Sequence, residues 1–482
     1  MLFNSFQFLW LFPLIFIAYY IVNRVAGGGK WSSCRVSNFA LLVLSYGLYL
    51  QWNPVCACVL MYVTAVTFLG GIVIPSVKKQ RKVVLWCFVL LSVFPLALFK
   101  YYNFAMDSLS IILQCAGLSV GLNGLNWVIP LGISFFTFQA LGYMLDVYHG
   151  RVAAERNWWD YMLFVGFFPQ IASGPISKAN ELLPQIKSVR EFDQYKAVVG
   201  LRLLLWGMFM KVVVADRLGV YVDKVYDTYM YQSGLTCSLA AVMYSFQIYA
   251  DFAGYSLMAI GVGRLMGFNL VNNFNRPYCA SSVTDFWKRW HISLTRWLTT
   301  HIYIAMGGNR CSKLRQYWNI MVTFLVSGIW HGANWTFIVW GLIHGVLQIA
   351  EKMTGLDPKG RLSQSSFVKK MTPVRVLFTF LMVTVAWVFF RMPSIDKALD
   401  FFSHIGTSHS CALFVPAPDT MLLIFLAMLC VVAKDWVDEL LPSVKLMSNK
   451  HLVIRWATYV VLCFWILLAG VFDASNFIYA NF

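Results

Sequence analysis

Charged residues are scarce in this chain of 482 residues: Asp, Glu, Lys and Arg together make up only 12% of it. A soluble domain of similar length carries about a quarter charged residues. Hydrophobic residues account for 59% of the sequence, and long apolar runs, such as residues 8–22 and 377–390, recur from end to end. This composition excludes an ordinary soluble enzyme and predicts a polytopic membrane protein.

Several motifs that would point to other chemistry are also missing. The chain has no HExxH, no GxSxG and no paired CxxC motif, and its 11 cysteines lie mostly inside apolar runs. The sequence therefore gives no reason to expect zinc-peptidase, serine-hydrolase or dithiol chemistry, and we predict no metal site. No internal repeat is visible, which disfavours a transporter built from repeats.

Basic residues outnumber acidic ones by 38 to 21, and the formal net charge is +17. The basic residues collect in the loops 23–36, 77–83 and 352–375, whereas the loops around residue 52 and at 393–416 hold almost none. This alternation is the positive-inside pattern of membrane proteins, so the charge indicates a lipid bilayer and no nucleic-acid partner. It predicts that both termini are extracytoplasmic. The first apolar run lacks the basic segment of a cleavable signal and is interpreted as a spanning helix.

Hydropathy predicts an all-α membrane fold with about ten to twelve spanning helices of about 20 residues each. The predicted spans are residues 2–22, 37–50, 55–73, 83–99, 108–122, 127–147, 198–214, 235–262, 317–346, 374–390, 420–432 and 456–472. The span 317–346 is long enough to contain a helix and a break. We interpret the chain as one membrane domain in four parts: N-terminal spans (1–150), a re-entrant segment with connecting spans (151–230), a catalytic core (231–350) and C-terminal spans (351–482).

Two middle segments, residues 164–186 and 283–298, are too polar or too interrupted to be simple spans. Broken backbone at membrane depth is tolerated only where protein or a water-filled cavity satisfies its polar groups. We therefore predict that both segments are re-entrant or interfacial and that they lie beside a cavity.

Residues 284–298, written as one helix, separate into an apolar face and a basic edge. The apolar face holds Trp287, Trp290, His291, Leu294, Trp297 and Leu298; the other side holds Lys288, Arg289, Ser293 and Arg296. Residues 282–285 resemble a capping box at the start of this helix. An interfacial helix with its basic edge toward lipid headgroups explains the pattern as well as a functional site does. His291 is the exception, because an ionisable ring lies in the middle of the apolar face.

His331 lies deep in another apolar run, between Gly328 and Gly332. Ionisable residues inside a membrane are costly and usually face a cavity or a partner, so a functional role is favoured over a packed histidine. His344 follows thirteen residues later; it either shares a face with His331 or marks the end of the helix. Asp146 and Asp251 are lone carboxylates at predicted span ends, where either could pair with a nearby arginine.

These motifs resemble the membrane-bound O-acyltransferase family, and most closely its bacterial branch of alginate O-acetylation and teichoic-acid D-alanyl transfer proteins. The resemblance rests on DFWKRWHISLTRWL (285–298), GGNR (307–310) and SGIWHGANWTFIVWGLIHG (327–345). Further matches are FKYYNF (99–104), PLGISFFTFQALGYMLDVYHG (130–150), FFPQIASGPI (167–176), DFAGYSLMAIG (251–261), NFNRPY (273–278) and WVFFR (387–391). They occur in order along nearly the whole chain.

The resemblance implies a ring of spanning helices around a central funnel and an O-acyltransferase of the bacterial inner membrane. It implies a cytosolic thioester donor, acetyl-CoA or an acyl carrier, and no bound cofactor. The acceptor would be an exported or cell-wall polysaccharide, reached directly or through a secreted or periplasmic esterase-like (SGNH) acetyltransferase. The segment TTHIYI (299–304) departs from the relatives, which more often carry an arginine and an aspartate before the tyrosine.

His331 matches the signature histidine of the family, and His291 matches its second position, which is asparagine in many eukaryotic members. The resemblance implies that His331 is the general base and that His291 orients the donor or polarises its carbonyl. Lys288, Arg289 and Arg296 would contact the CoA phosphates, although lipid headgroups explain them equally well. Further candidate donor-binding residues are Trp290, Trp330 and Asn334. The alternative function is a transporter or channel with a histidine proton relay, which the missing repeats and the lack of other intramembrane acids and bases disfavour.

Overall fold

The computed structural model describes residue 3 and residues 5–25, 30–118 and 124–472, and all regular secondary structure within them is helical. Seven helices are long and apolar enough to cross a membrane. These are Gln7–Val25, Pro54–Ser76, Arg81–Cys115, Gln194–Asp227, Thr372–Arg391, Pro418–Leu440 and Leu452–Ala469. The predicted all-α membrane fold is confirmed.

The described residues form two compact units, of which the first comprises Leu9–Gly200 and Val262–Val271. Its helices are α1 (Phe6–Val25), α2 (Lys30–Trp52), α3 (Pro54–Ser76), α4 (Arg81–Leu96), α5 (Tyr102–Cys115), α6 (Ile133–Tyr148), α7 (Trp158–Gly166), α8 (Phe168–Ile171) and α9 (Ala179–Lys187). The start of α3 shows how the local sequence sets a boundary. Pro54 occupies the first turn, and the Asn53 side chain accepts a hydrogen bond from the Val55 backbone N–H at 2.8 Å, a common arrangement at helix N-termini.

The separate spans predicted at 83–99 and 108–122 are wrong. A π-helical turn, Ala97–Tyr101, joins α4 to α5, so Arg81–Cys115 is one continuous helix. The polar residues of the predicted loop do not break it, because Lys100 is buried and its Nζ donates to Ser134 Oγ at 3.1 Å. Ser134 on α6 thus accepts a hydrogen bond from an amine that hydropathy alone places at a boundary.

The segment 164–186 is broken, as predicted, and its backbone is satisfied from within the first unit. It contains the end of α7, the single turn α8 and most of α9, none of which is long enough to span a bilayer. Gln139 from α6 donates to the Phe164 carbonyl at 2.5 Å and accepts from the Ser177 N–H at 3.1 Å. Gln170 donates to the Pro175 carbonyl at 2.6 Å. These amides supply the partners that an irregular backbone needs when it is away from water.

The second unit covers the described residues of Leu2–Phe8, Leu201–Gly261 and Asn272–Phe482. The remaining helices are α10 (Gln194–Met208), α11 (Asp216–Asp227), α12 (Gly234–Leu265), α13 (Val283–Arg289), α14 (Ile292–Leu298), α15 (Lys313–His331), α16 (Trp335–Thr354), α17 (Ser366–Lys370), α18 (Thr372–Arg391), α19 (Ile395–Thr407), α20 (Pro418–Leu440) and α21 (Leu452–Ala469). A π-helical turn, Phe209–Ala215, joins α10 to α11.

Helices α15 and α16 form a closely packed hairpin, which confirms the break predicted inside 317–346. A Cβ atom on Gly328 would lie 2.4 Å from the carbonyl oxygen of Phe337, and one on Gly341 would lie 2.5 Å from that of Phe324. Only glycine permits this approach of the two backbones. The break follows His331, and Asn334 restarts the chain as α16 by accepting from the Thr336 N–H at 3.0 Å.

A fully buried ion triad lies inside the second unit. Lys211, on the π-helical turn, is 2.6 Å from a carboxylate oxygen of Asp216 and 2.6 Å from one of Asp251 on α12. The pairing of Asp251 with an arginine, which the sequence suggested, is therefore wrong, because its partner is Lys211. The same expectation is confirmed for Asp146, which pairs with Arg151 at 3.0 Å.

Candidate functional site

The predicted continuous helix over 284–298 is interrupted at His291. Helix α13 ends at Arg289, Trp290 is extended, and His291 adopts the left-handed conformation, with φ of 42° and ψ of 53°, before α14 begins. A non-glycine residue rarely adopts this conformation, and such residues concentrate at functional sites. The predicted apolar face is nevertheless buried throughout, and Ser282 caps α13 by accepting from the Asp285 N–H at 3.0 Å.

The segment 273–275 holds the helix break open. The Asn275 N–H donates to the Arg289 carbonyl at 2.9 Å, and the Ile292 N–H donates to the Asn273 carbonyl at 2.9 Å. These backbone groups would be bonded inside one helix if 284–298 were continuous. Because their partners lie 14 and 19 residues earlier in the chain, the periodicity of 284–298 alone does not reveal the break.

His331 is the last residue of α15 and is 1% exposed. Its ring centroid lies 4.9 Å from that of Trp330, 4.9 Å from that of Trp340 and 5.3 Å from that of Phe390, all with edge-to-face geometry. The histidine is therefore held in an aromatic pocket built by the α15–α16 hairpin and α18. Such packing restricts the orientation of the ring.

One connected group of rings, the histidine–tryptophan cluster, brings the sequence-predicted histidines together. It consists of His291, Trp330, His331, Trp340 and His344. The ring centroids are 5.7 Å apart between His291 and Trp330, and 5.0 Å apart between Trp340 and His344. One indole, that of Trp330, thus contacts both candidate catalytic imidazoles.

His344 does not mark the end of a helix, because it lies in the middle of α16 and is fully buried. The break after His331 places the two histidines on different helices, so they share no helix face; both rings contact Trp340 instead. The Nδ1 of His344 accepts a hydrogen bond from the indole N–H of Trp287 at 3.2 Å. An indole nitrogen can only donate, so this ring nitrogen of His344 carries no hydrogen. No role was assigned to Trp340, Trp387 or Phe390 from the sequence. These residues lie in the motifs 327–345 and 387–391, which served only as evidence of the family resemblance.

A cavity of about 260 Å³ lies near the cluster, although none of the five residues of the cluster lines it. Trp287 lines it while bonding to His344, and Ser327, one turn before His331, lines it as well. Most of the exposed surface of its walls is apolar, although many lining residues are threonines, and Lys288 and Lys352 are the charged members. The complete lining is Thr284, Trp287, Lys288, Leu294, Thr295, Leu298, Thr299, Tyr303, Ile320, Thr323, Phe324, Ser327, Gln348 and Lys352.

The predicted basic edge does not act as one group. Lys288 lines the cavity, but Arg289 is 3.0 Å from Asp285 and 3.0 Å from Glu439, and it lies outside the lining. Arg296 is half-buried and also lies outside it. Lys352, at the end of α16, is the second cationic residue of the cavity and was not predicted.

The other candidate donor-binding residues have packing or capping roles. Asn334 caps α16, and its Nδ2 donates to the Pro393 carbonyl at 2.8 Å, so both ends of its amide are engaged. Trp290 is fully buried, with its ring 5.0 Å from that of Trp387. Among the described residues, no three His, Cys, Asp or Glu side chains are arranged to hold a metal ion.

Comparison with known proteins agrees with this arrangement. Residues 156–394, which include His291 and His331, match the family model described as MBOAT, membrane-bound O-acyltransferase family. The chain is 37% identical over 403 residues to the Pseudomonas putida protein named "Probable alginate O-acetylase AlgI"; the match covers 83% of this chain and 79% of the relative.

Two further relatives carry different acceptor names. The peptidoglycan O-acetyltransferase of Helicobacter pylori is 32% identical over 429 residues, which cover 83% of this chain and 78% of that protein. The teichoic acid D-alanyltransferase of Lacticaseibacillus rhamnosus is 30% identical over 277 residues, which cover 52% of this chain and 68% of that protein. With its buried histidines, its spanning helices and these relatives, the chain belongs to the membrane-bound O-acyltransferase family and is a multi-pass membrane acyltransferase.

Proposed function

We propose that this acyltransferase takes an acetyl group from a cytosolic thioester, acetyl-CoA or an acetylated carrier, and passes it across the bacterial inner membrane to a polysaccharide hydroxyl. The observation that carries the proposal is the contact of both His291 and His331 with one tryptophan ring, near a cavity that two lysines line. The names of the alginate and peptidoglycan relatives support acetyl as the group and a polysaccharide as the acceptor.

The chemistry needs a base that is neutral when it is buried. In the proposed step, the acceptor hydroxyl attacks the thioester carbonyl while the His331 imidazole takes the hydroxyl proton. The carbon–sulfur bond then breaks, and the imidazolium returns the proton to the departing thiolate, so the histidine ends the cycle neutral. A buried imidazole is less costly than a buried carboxylate or ammonium, which makes histidine the suitable base at this depth.

The cavity suits the narrow arm of a thioester donor. Pockets for drug-sized ligands usually measure about 300–1,000 Å³, and this cavity, at about 260 Å³, is too small to enclose a whole nucleotide-bearing cofactor. Its apolar walls fit a pantetheine chain, and Lys288 and Lys352 supply positive charge for a phosphate. In this proposal Lys288 and Lys352 face the phosphate of the donor, whereas Arg289 and Arg296, which lie outside the cavity lining, do not.

The acceptor side is proposed to involve a separate secreted or periplasmic transferase of the esterase type. Between α18 and α20, on the side predicted to be extracytoplasmic, the chain has only α19 and the short connections 392–394 and 408–417. Such a segment is too small to bind and process a polymer. The extracytoplasmic C-terminus also remains a proposal, and residues 473–482, which bear on it, lie outside the described residues.

The test is acetyl transfer by the purified full chain in lipid nanodiscs. With acetyl-CoA labelled in the acetyl group, a soluble oligosaccharide of the alginate or peptidoglycan type and the partner transferase added, we expect release of free CoA thiol and transfer of the labelled acetyl group to the oligosaccharide. A transporter would move a solute between compartments of a proteoliposome and release no thiol above the empty-nanodisc background. That result would contradict the proposed function.

A further inference from the structure

Asn273 is a buried residue whose side chain lies against the helix break at His291. It is 1% exposed and belongs to the segment that holds the break open. Its Oδ1 accepts from the Ser293 backbone N–H at 3.1 Å and from Ser293 Oγ at 2.9 Å, and it lies 3.1 Å from His291 Nδ1. Its Nδ2 donates to Ser256 Oγ, on α12, at 3.3 Å.

These contacts fix which end of the Asn273 amide faces the histidine. A backbone N–H can only donate, so the group that meets the Ser293 N–H has to be the amide oxygen rather than the amide nitrogen. Reversing the amide would place two donors against each other at 3.1 Å. The serine hydroxyl at the other end can accept or donate, and it therefore allows this orientation.

The orientation of the amide in turn fixes the hydrogen on the His291 ring. An amide oxygen can only accept, so His291 Nδ1 is the donor in their 3.1 Å contact and carries a hydrogen. A neutral imidazole has one N–H, which leaves the lone pair on Nε2. The His291 ring also packs edge-to-face with Phe252, whose ring centroid is 4.6 Å away at an interplanar angle of 85°.

We infer that Asn273 is a positioning residue that holds neutral His291 in the Nδ1–H tautomer, so that Nε2 accepts a hydrogen bond from an O–H or N–H group of the substrate. This inference rests on the proposed function, and it changes the role expected for His291. A ring nitrogen with a lone pair cannot polarise an acyl carbonyl, because that task needs a donor. His291 instead orients a substrate that brings its own hydrogen, such as the acceptor hydroxyl or an amide of a pantetheine arm.

The direct test is the tautomer of His291 in the wild-type chain, and it needs no substrate. In protein labelled with ¹⁵N-histidine and held in nanodiscs, the His291 signals are assigned by their loss in His291→Asn. We expect a protonated Nδ1 and an unprotonated Nε2. An Nε2–H tautomer in the wild-type protein would overturn the inference. An Nδ1–H tautomer in a protein that releases no CoA would sustain it while the proposed function failed.

Variants of Asn273 separate positioning from packing. Asn273→Ala should lose the single tautomer, and Asn273→Asp should keep it and move the acidic limb of the pH–rate profile up by about 1 unit or more, because a carboxylate favours the imidazolium. Ser293→Ala is the matched control: it removes one hydroxyl from the same oxygen and leaves the His291 contact. A purely structural role predicts equal losses at every pH and an unchanged tautomer in Asn273→Ala, and that pattern would refute the inference.

Discussion

Removing the lysine of the buried ion triad should destabilise the protein far more than removing one of its aspartates. Lys211 is completely buried and lies 2.6 Å from a carboxylate oxygen of each of Asp216 and Asp251. Lys211→Met leaves two buried carboxylates facing each other, and breaking a buried pair in this way costs about 3–5 kcal/mol. Asp251→Asn retains one lysine–aspartate pair and an oxygen that can accept from the lysine, so its cost should be about 1 kcal/mol.

The assay is thermal unfolding of the full chain in one detergent, with the release of CoA thiol from acetyl-CoA recorded in parallel. A loss of 3–5 kcal/mol corresponds to a fall in Tm of about 5–15 °C, and a loss of about 1 kcal/mol to a few degrees. A triple variant, Lys211→Met with Asp216→Asn and Asp251→Asn, should recover much of the loss, because it buries no unpaired charge. Equal falls in Tm for Lys211→Met and Asp251→Asn would refute the reasoning.

Three further results are expected. Gly328→Ala should lower the free energy of unfolding by about 1–3 kcal/mol or prevent folding, because its Cβ would lie 2.4 Å from a backbone oxygen of α16. The control in a thermal melting experiment is Gly406→Ala, whose Cβ would have no atom within 4 Å. Equal Tm values for the two variants would contradict the close packing of α15 and α16. Lys288→Ala and Lys352→Ala should each raise KM for acetyl-CoA about threefold to tenfold with little change in kcat. The control Lys369→Ala, at an exposed lysine, should leave KM unchanged. Unchanged KM values for the two cavity variants would show that the cavity does not bind the donor. A reporter that is active only in the cytosol should stay silent when fused to the C-terminus, and a strong signal there would overturn the predicted orientation.

The local sequence pattern was sufficient to predict which side chains of the site are buried, but not to predict the course of its backbone. The three- and four-residue spacing in 284–298 predicted which side chains face the interior, and all six of them are buried. The break at His291 was missed because residues 273–275 create it by hydrogen bonding to Arg289 and Ile292. A contact between distant segments leaves no mark in the periodicity of either one.

The positions and partners of the basic residues were predicted least well from the sequence, because hydropathy does not show which group a lysine or arginine will contact. Lys100 lay just beyond the end of a predicted span, yet it is inside a continuous helix, where it donates a hydrogen bond to Ser134. Arg289 was a candidate to contact either a donor phosphate or lipid headgroups, and the structure pairs it with Asp285 and Glu439. Lys352 lay in a basic loop among many others, and only the fold brings it to the cavity.

The most direct test of the central claim compares two substitutions of His331, whose ring is 1% exposed and packed between Trp330 and Trp340. His331→Ala should lower acetyl transfer by about 10²–10⁴-fold. His331→Asn, which keeps a hydrogen-bond donor and acceptor but no base, should be nearly as inactive, while the exposed control His409→Asn should be unaffected. Each variant is first matched to wild type in expression and Tm. If well-folded His331→Asn transfers acetyl at close to the wild-type rate, His331 is a packed histidine and the catalytic assignment is wrong.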